Sequence, residues 1–181
     1  MINILKNAKG PVAEIGVSIG FTFRNYFLKY SIPKKIMAYA YDSWTGMGEP
    51  TMFDGDSYPK GRFSVGGKNA WQKKYMQDYK EGKDYIAYEG YIPHNLYMTP
   101  KEIEFYYIRL DLDHYLPTLV AAHWAWNRLM TNGILSSHDY FAGSADGATK
   151  GLNIFFNDIH GQYRLINHDE KTSEIFIQKL K

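Results

Sequence analysis

Two carboxylates two residues apart, Asp111 and Asp113, sit inside the apolar run EFYYIRLDLDHY at residues 104–115. Asp is depleted in strands, and a pair on one strand face, about 7 Å apart, repels itself unless a cation or a solvated edge relieves it. A divalent ion would do so, and Mg2+ or Mn2+ favours carboxylate oxygens. Asp111 and Asp113 are therefore the candidate catalytic and metal-binding residues. Two ions held by them would activate an attacking oxygen and stabilise a leaving one, the chemistry of nucleotidyl or phosphoryl transfer. The plainer reading pairs both acids with Arg109, a lysine or a helix N-terminus and needs no metal.

Other residue groups could add to such a site. The Gly-rich stretch 143–151 (GSADGATKG) lacks the spacing of a P-loop, but its backbone amides with Lys150 could hold a triphosphate as a nest does; the plain alternative is a hairpin connection. His114, His123 and His138 lie near the acidic pair in sequence, and His138-Asp139 forms an HD doublet from which a zinc or two-metal site could be assembled; their spacing matches no defined ligand motif. Asp54 and Asp56 in FDGDSYP resemble a cation-binding turn without the full calcium-loop spacing. Lys73, Lys74 and Tyr75 belong to a lysine-rich segment whose aromatic stripe could track a phosphate backbone and stack bases, or pack on a sheet and leave solvated lysines outside. Neither a nucleophile elbow, an HExxH pair nor a dinucleotide-binding glycine fingerprint is found, so serine-hydrolase, zinc-protease and Rossmann readings lack support.

The elements that must position these groups follow from periodicity. Residues 13–23 alternate apolar and polar, predicting a half-buried strand, and 36–41 predicts a second strand after the Ser31-Ile32-Pro33 break, paired with the first as an antiparallel hairpin. Residues 42–67 carry Gly, Pro, Asp and Ser without a period and read as a long loop. Residues 69–81 read as a helix with Trp71, Tyr75 and Tyr79 on one stripe and Gly82 as its stop, and 85–92 as a strand. The run 104–115 is the central strand, with Ile108 and Leu110 on one face and Arg109, Asp111 and Asp113 on the other. A helix spans 117–131, followed by a short strand at 138–141, the loop 143–151, a strand at 152–156, and a meander formed by 163–166 and 174–177. The sum is an α+β fold: a mainly antiparallel sheet with two helices and a C-terminal β-meander around a palm- or RRM-like core.

Composition sets the outer bounds. The 181 residues fit a single domain, 1–181, with a real core. A net charge of +2 excludes a strongly basic footprint over the whole chain and leaves any basic surface local. Zero cysteines exclude disulfides, thiolate metal sites and cysteine nucleophiles. Without an apolar run of spanning length or a signal-peptide core at the N-terminus, a cytoplasmic location is expected, or the virion for a viral protein, with no membrane partner.

Residues 108–115 (IRLDLDHY), the helix after them, Asn132-Gly133-Ile134 and residues 144–156 (SADGATKGLNIFF) together resemble the palm of the archaeo-eukaryotic primase and primase-polymerase superfamily. The resemblance covers about a third of the chain. It implies Asp111 and Asp113 as metal ligands, Ser144 and Lys150 near nucleotide phosphates, Asp158 or Asp169 as a third acid, and Asn153 at the family's histidine position, where it cannot exchange a proton. The expectation is a metal-dependent nucleotidyl- or phosphoryl-transfer or nucleotide-binding protein of nucleic-acid replication. The alternative, carried by sixteen tyrosines, the smooth Gly/Ser strand face and the long loop, is a non-catalytic assembly or interaction protein such as a viral-particle subunit.

Overall fold

Short, predominantly apolar runs are what a strand buried on both faces requires, and such strands belong to parallel sheets covered by helices. The computed structural model, which describes residues 1–55, 58–143 and 145–181, is built in this way. β1 (Val12–Ile15) is buried along its whole length, and β2 (Ala38–Asp42) over all but its last residue. They pair in parallel with each other, β2 with β3 (Tyr85–Glu89), and β1 with β4 (Phe105–Leu110). β5 (Leu129–Ser137) continues the parallel set beside β4. The hairpin of β6 (Tyr163–Asp169) and β7 (Glu174–Lys179) then adds two antiparallel strands, with β7 against β5. The order is β3-β2-β1-β4-β5-β7-β6.

Parallel neighbours need crossovers, and helices supply them. A short α1 (Ile2–Lys6) precedes β1, and a wide π-type helix (Phe23–Leu28) running into α2 (Lys29–Ser31) joins β1 to β2. α3 (Lys68–Tyr75) lies between β2 and β3, α4 (Tyr115–Arg128) between β4 and β5, and α5 (Asp146–Asp158) between β5 and β6. Alternate strand residues feed two cores. Ala13, Ile15, Ile108 and Leu110 pack with Ala121, Ala125, Leu152 and Phe155 on the α4/α5 face, while Val12, Ala38 and Tyr107 pack with Phe23, Phe27 and Trp71 on the other.

The antiparallel α+β expectation is therefore corrected to a mostly parallel, doubly wound sheet of Rossmann type. The predicted strand 13–23 stops at Ile15 because the chain turns sharply: Gly16, Ser18 and Gly20 all have positive φ (+87°, +50° and +81°). Its apparent hairpin with 36–41 becomes a parallel pair through a helical crossover. The predicted strand 152–156 is the second half of α5. Its buried residues, Gly147, Ala148, Gly151, Leu152 and Phe155, recur at helical spacing. The predicted strand at 138–141 is a turn beyond β5, and the helix expected over 69–81 ends at Tyr75. Beyond it the chain is pinned as a turn, with Asp84 accepting from the Lys80 amide and Glu81 bound to Lys68 and Gln72. Among the described residues no helix is long and apolar enough to cross a membrane.

Candidate functional site

In an open parallel sheet, ligands bind outside the carboxyl ends of the strands where the strand order reverses. Here the reversal lies between β1 and β4, and a cavity of ≈ 790 Å³ opens at those strand ends. Its floor includes Glu14, Gly16 to Ser18, Asp42, Asp111, Asp113, His138 and Asp139, while Phe21, Phe63, Tyr91 and Leu116 are among its apolar walls. A volume of this order, mostly apolar with a few convergent polar groups, is that of a small-molecule or cofactor site.

The turn after β1 is fixed by two close contacts. A Cβ at Gly16 would overlap the backbone carbonyl of Asp111, so only glycine lets the turn pack on the end of β4. The Val17 and Ser18 amides both donate to Asp42 Oδ2 (2.7 Å each), while Asp42 Oδ1 accepts from the Trp44 amide (2.6 Å). Burial raises the pKa of Asp42 in spite of these bonds. Residues 43–67 contain neither helix nor strand among those described, and they fold back over the cavity. Asp54 Oδ1 accepts from the Tyr115 amide (2.6 Å), capping α4 from a distant part of the chain, and Tyr58 contributes its carbonyl to His114 Nε2 (2.8 Å).

Below the cavity, Arg109 is the centre of a buried ion network. Its guanidinium meets Glu14 (2.9 Å), Asp111 (2.7 Å) and Glu174 (3.1 Å), drawn from β1, the end of β4 and β7. Ser136 Oγ donates to the same oxygen of Glu174 (3.0 Å) and lies 2.8 Å from the Tyr107 hydroxyl. One guanidinium cannot neutralise three carboxylates, two of them buried, and burial pushes Glu14 up to about 8 even with Arg109 beside it. Burial would also raise Asp111, but Arg109 and His138 outweigh it and hold Asp111 at about 2.

Asp113 does not share a strand face with Asp111. β4 ends at Leu110, and Asp113 lies beyond it with a left-handed backbone (φ +59°). Burial, then repulsion from Asp139 and Asp111, raises its carboxyl to about 8. The cation among these acids is His138, which follows β5: its Nδ1 lies 2.8 Å from Asp139 and 3.5 Å from Asp111, and the two acids raise it to about 10. The protonated imidazole thus faces both carboxylates. Ligand atoms of Asp111, His138 and Asp139 all fall within 4.8 Å of one another, a spacing a metal ion could bridge; here the imidazole itself sits between the carboxylates.

The other sequence candidates disperse. Lys150 lies on α5 and donates to the Phe53 carbonyl (3.0 Å), while Asn153 accepts from the Tyr140 hydroxyl (3.0 Å). Ser144 and Asp56 lie outside the described residues. His123 pairs with Asp158 on the surface (3.2 Å), and Asp169 caps the β6–β7 turn by accepting from the Lys171 amide (3.1 Å). Lys73, Lys74 and Tyr75 close α3, apart from the cavity. The sequence reading missed Glu14, the Gly16–Gly20 turn and Asp42. A readable signal was there: glycines directly after a strand, a helix behind them, and an acid at the end of the next strand.

No family model matches the chain, and no curated protein matches it either. Solved structures do. The chain resembles the O-methyltransferase NovP at 14% identity, over 99% of this chain and 78% of that one, with a TM-score of 0.77. It resembles the calicheamicin methyltransferase CalS11 at 18% identity, over 97% and 74%, with a TM-score of 0.74. An O-methyltransferase from Bacillus cereus in complex with SAH matches at 11% identity, over 98% and 76%, with a TM-score of 0.60. At these identities the likeness is one of fold: the Rossmann-like fold of class I methyltransferases. The primase-palm resemblance is overturned, because a palm is an antiparallel sheet and this one is mostly parallel. With it fall the replication role, the viral-particle alternative, and Mg2+ or Mn2+ as the cofactor shared by Asp111 and Asp113. The matched structures are methyltransferases, and the two acids do not lie side by side.

Proposed function

We propose that this chain binds S-adenosylmethionine and transfers its methyl group to an oxygen of a small hydroxylated acceptor. The observation that carries the reading is the cavity at the strand-order reversal, in a fold that the chain shares with methyltransferases, one of them holding SAH. Its residues fit the cofactor. The turn from Gly16 to Ser18 and the residues after β2 offer a backbone-lined floor, Tyr91 and Met47 offer apolar surface to a base, and the acids beyond β4 and β5 suit a cationic sulfonium.

When bound, S-adenosylmethionine supplies an electrophilic methyl group and is left as the neutral thioether. In this reading Asp113 takes the acceptor's hydroxyl proton as the new carbon–oxygen bond forms; a carboxyl raised to about 8 is matched to that task near neutral pH. His138, charged over the same range, holds Asp111 and Asp139 in place and lowers the repulsion around the site. The apolar walls exclude water from the reacting oxygen. The test is thermal shift with SAH, with ATP as the control nucleotide. Stabilisation by SAH that grows with its concentration is expected by linkage, whereas no response to SAH at millimolar levels would remove the reading.

A further inference from the structure

Charge is unevenly divided along this chain. Residues 1–41 carry six lysines and arginines against one acid, Glu14, which is buried in the ion network; with a whole-chain charge of +2, the remainder is net negative. The structure gathers most of this excess on the side formed by α1, the π-type helix, α2 and the end of α3.

The basic groups flank the crossover that begins at the cavity-lining residues Phe21 and Thr22 and gather around two tyrosine rings. Arg24, in the first turn beyond, donates to the Gly20 carbonyl (3.3 Å) and lies over the Tyr75 ring at 6.0 Å, with Lys74 over the same ring at 5.1 Å. Further along the same helical stretch, Lys29 and Lys6 lie over the Tyr30 ring at 5.8 and 5.9 Å. Lys34 donates to the Lys6 and Ala8 carbonyls. Among the described residues none of these five cations forms an ion pair with a carboxylate. Tyr30 and Tyr75 are half-buried, each presenting a ring among the cations.

We infer that this face is a track for the phosphate backbone of a single-stranded nucleic acid, leading to the mouth of the cavity. Cations that alternate with tyrosine rings suit a strand whose phosphates and bases alternate. The stretch from Arg24 to Lys34 is roughly 15 Å long at about 1.5 Å per residue, enough for a handful of nucleotides. An anionic membrane would demand an apolar surface to insert. Of the exposed large apolar side chains only Ile2 belongs to α1 and none to the π-type helix, α2 or α3; Ile19 and Phe21, just before the π-type helix, line the cavity instead. The inference does not rest on the methyl-transfer reading, and its test needs no cofactor.

The experiment is fluorescence anisotropy with labelled twelve-residue oligouridylate and oligothymidylate across a salt series. Anionic phosphatidylserine vesicles form a parallel arm. Five phosphate contacts predict a log–log salt slope of about −3.5. The exposed pair Lys29→Gln/Lys74→Gln should make the slope shallower by about 1.4 and weaken binding at least tenfold at low salt, while Lys101→Gln/Lys171→Gln should change neither. Three results would overturn the proposal: no oligonucleotide binding at 50 mM salt, binding that the first pair leaves intact, or stronger binding to the vesicles than to either oligonucleotide.

Discussion

Replacing Glu14 with glutamine should change the protein's stability in opposite directions at low and high pH. In the folded chain Glu14 is raised from 4.5 to about 8, because burial penalises its charge and Asp111 and Glu174 add repulsion that Arg109 only partly offsets. Between those two values the folded protein keeps a proton that the unfolded chain has released. Stability is therefore fully present below pH 4.5 and is lost as pH rises through about 8. At about 1.4 kcal/mol per pKa unit, the loss amounts to on the order of 4–5 kcal/mol. Glutamine has no proton to lose, and its carbonyl can still accept from Arg109, but its amide would face the place where Glu14 Oε2 has no partner. Protonated Glu14 leaves one O–H unpaired there and the amide leaves two N–H groups, so the additional orphaned donor costs roughly 1–3 kcal/mol relative to the protonated acid. The variant should thus be less stable than wild type at pH 5 and more stable, by a few kcal/mol, at pH 9. Urea unfolding at the two pH values measures the difference directly. A stability difference that stayed constant between pH 5 and 9 would refute the protonation assigned to Glu14.

Other substitutions probe the site and its frame. With any accepted hydroxyl substrate, SAH release should rise with pH, level near pH 8 as Asp113 ionises, and fall near pH 10 as His138 loses its charge. Asp113→Asn should cost roughly 100-fold or more and erase the lower limb, and a variant that retained this limb would exclude Asp113 as the base. Gly16→Ala should destabilise the fold by roughly 3 kcal/mol, since its Cβ would overlap the Asp111 carbonyl at a φ of +87°; thermal melts would read this. Gly147→Ala would drive a methyl group into the Asp54 carboxylate that caps α4. The cap alone is worth about 1 kcal/mol, and limited proteolysis within residues 43–67 should accelerate; an unchanged digestion pattern would show that Asp54 does not hold this segment down.

Much of the sheet could be read in the sequence, while its connectivity could not. β4, β6 and β7 lie where strands were expected, although their burial does not alternate, and Asp111 lines the cavity at the central strand's end. The stretch after β1 misled because Val17, Ile19, Phe21 and Phe23 fall by chance on alternate positions: Val17 and Phe23 enter the core, whereas Ile19 and Phe21 line the cavity. The crossover to β2 is a π-type helix, the three-residue α2 and a 3-10 turn containing Pro33, so no 3.6-residue period runs long enough to detect. Without that helix, two neighbouring strands read as a hairpin, and the sheet reads as antiparallel. α5 was hidden by its glycines. They are there for contact, since a Cβ at Gly151 would come within 2.7 Å of the Tyr115 carbonyl, and Gly147 is crowded by the Tyr115 amide at 2.8 Å. The ion network is legible only in three dimensions, because Glu14, Arg109 and Glu174 are brought together from three strands.

Isothermal titration of the full chain with SAH tests the central claim most directly. One site per chain, with affinity lost when Ser18→Trp fills the floor between β1 and β4, is the predicted result. Absence of binding, or binding that Ser18→Trp leaves unchanged, would contradict a cofactor site at the strand-order reversal.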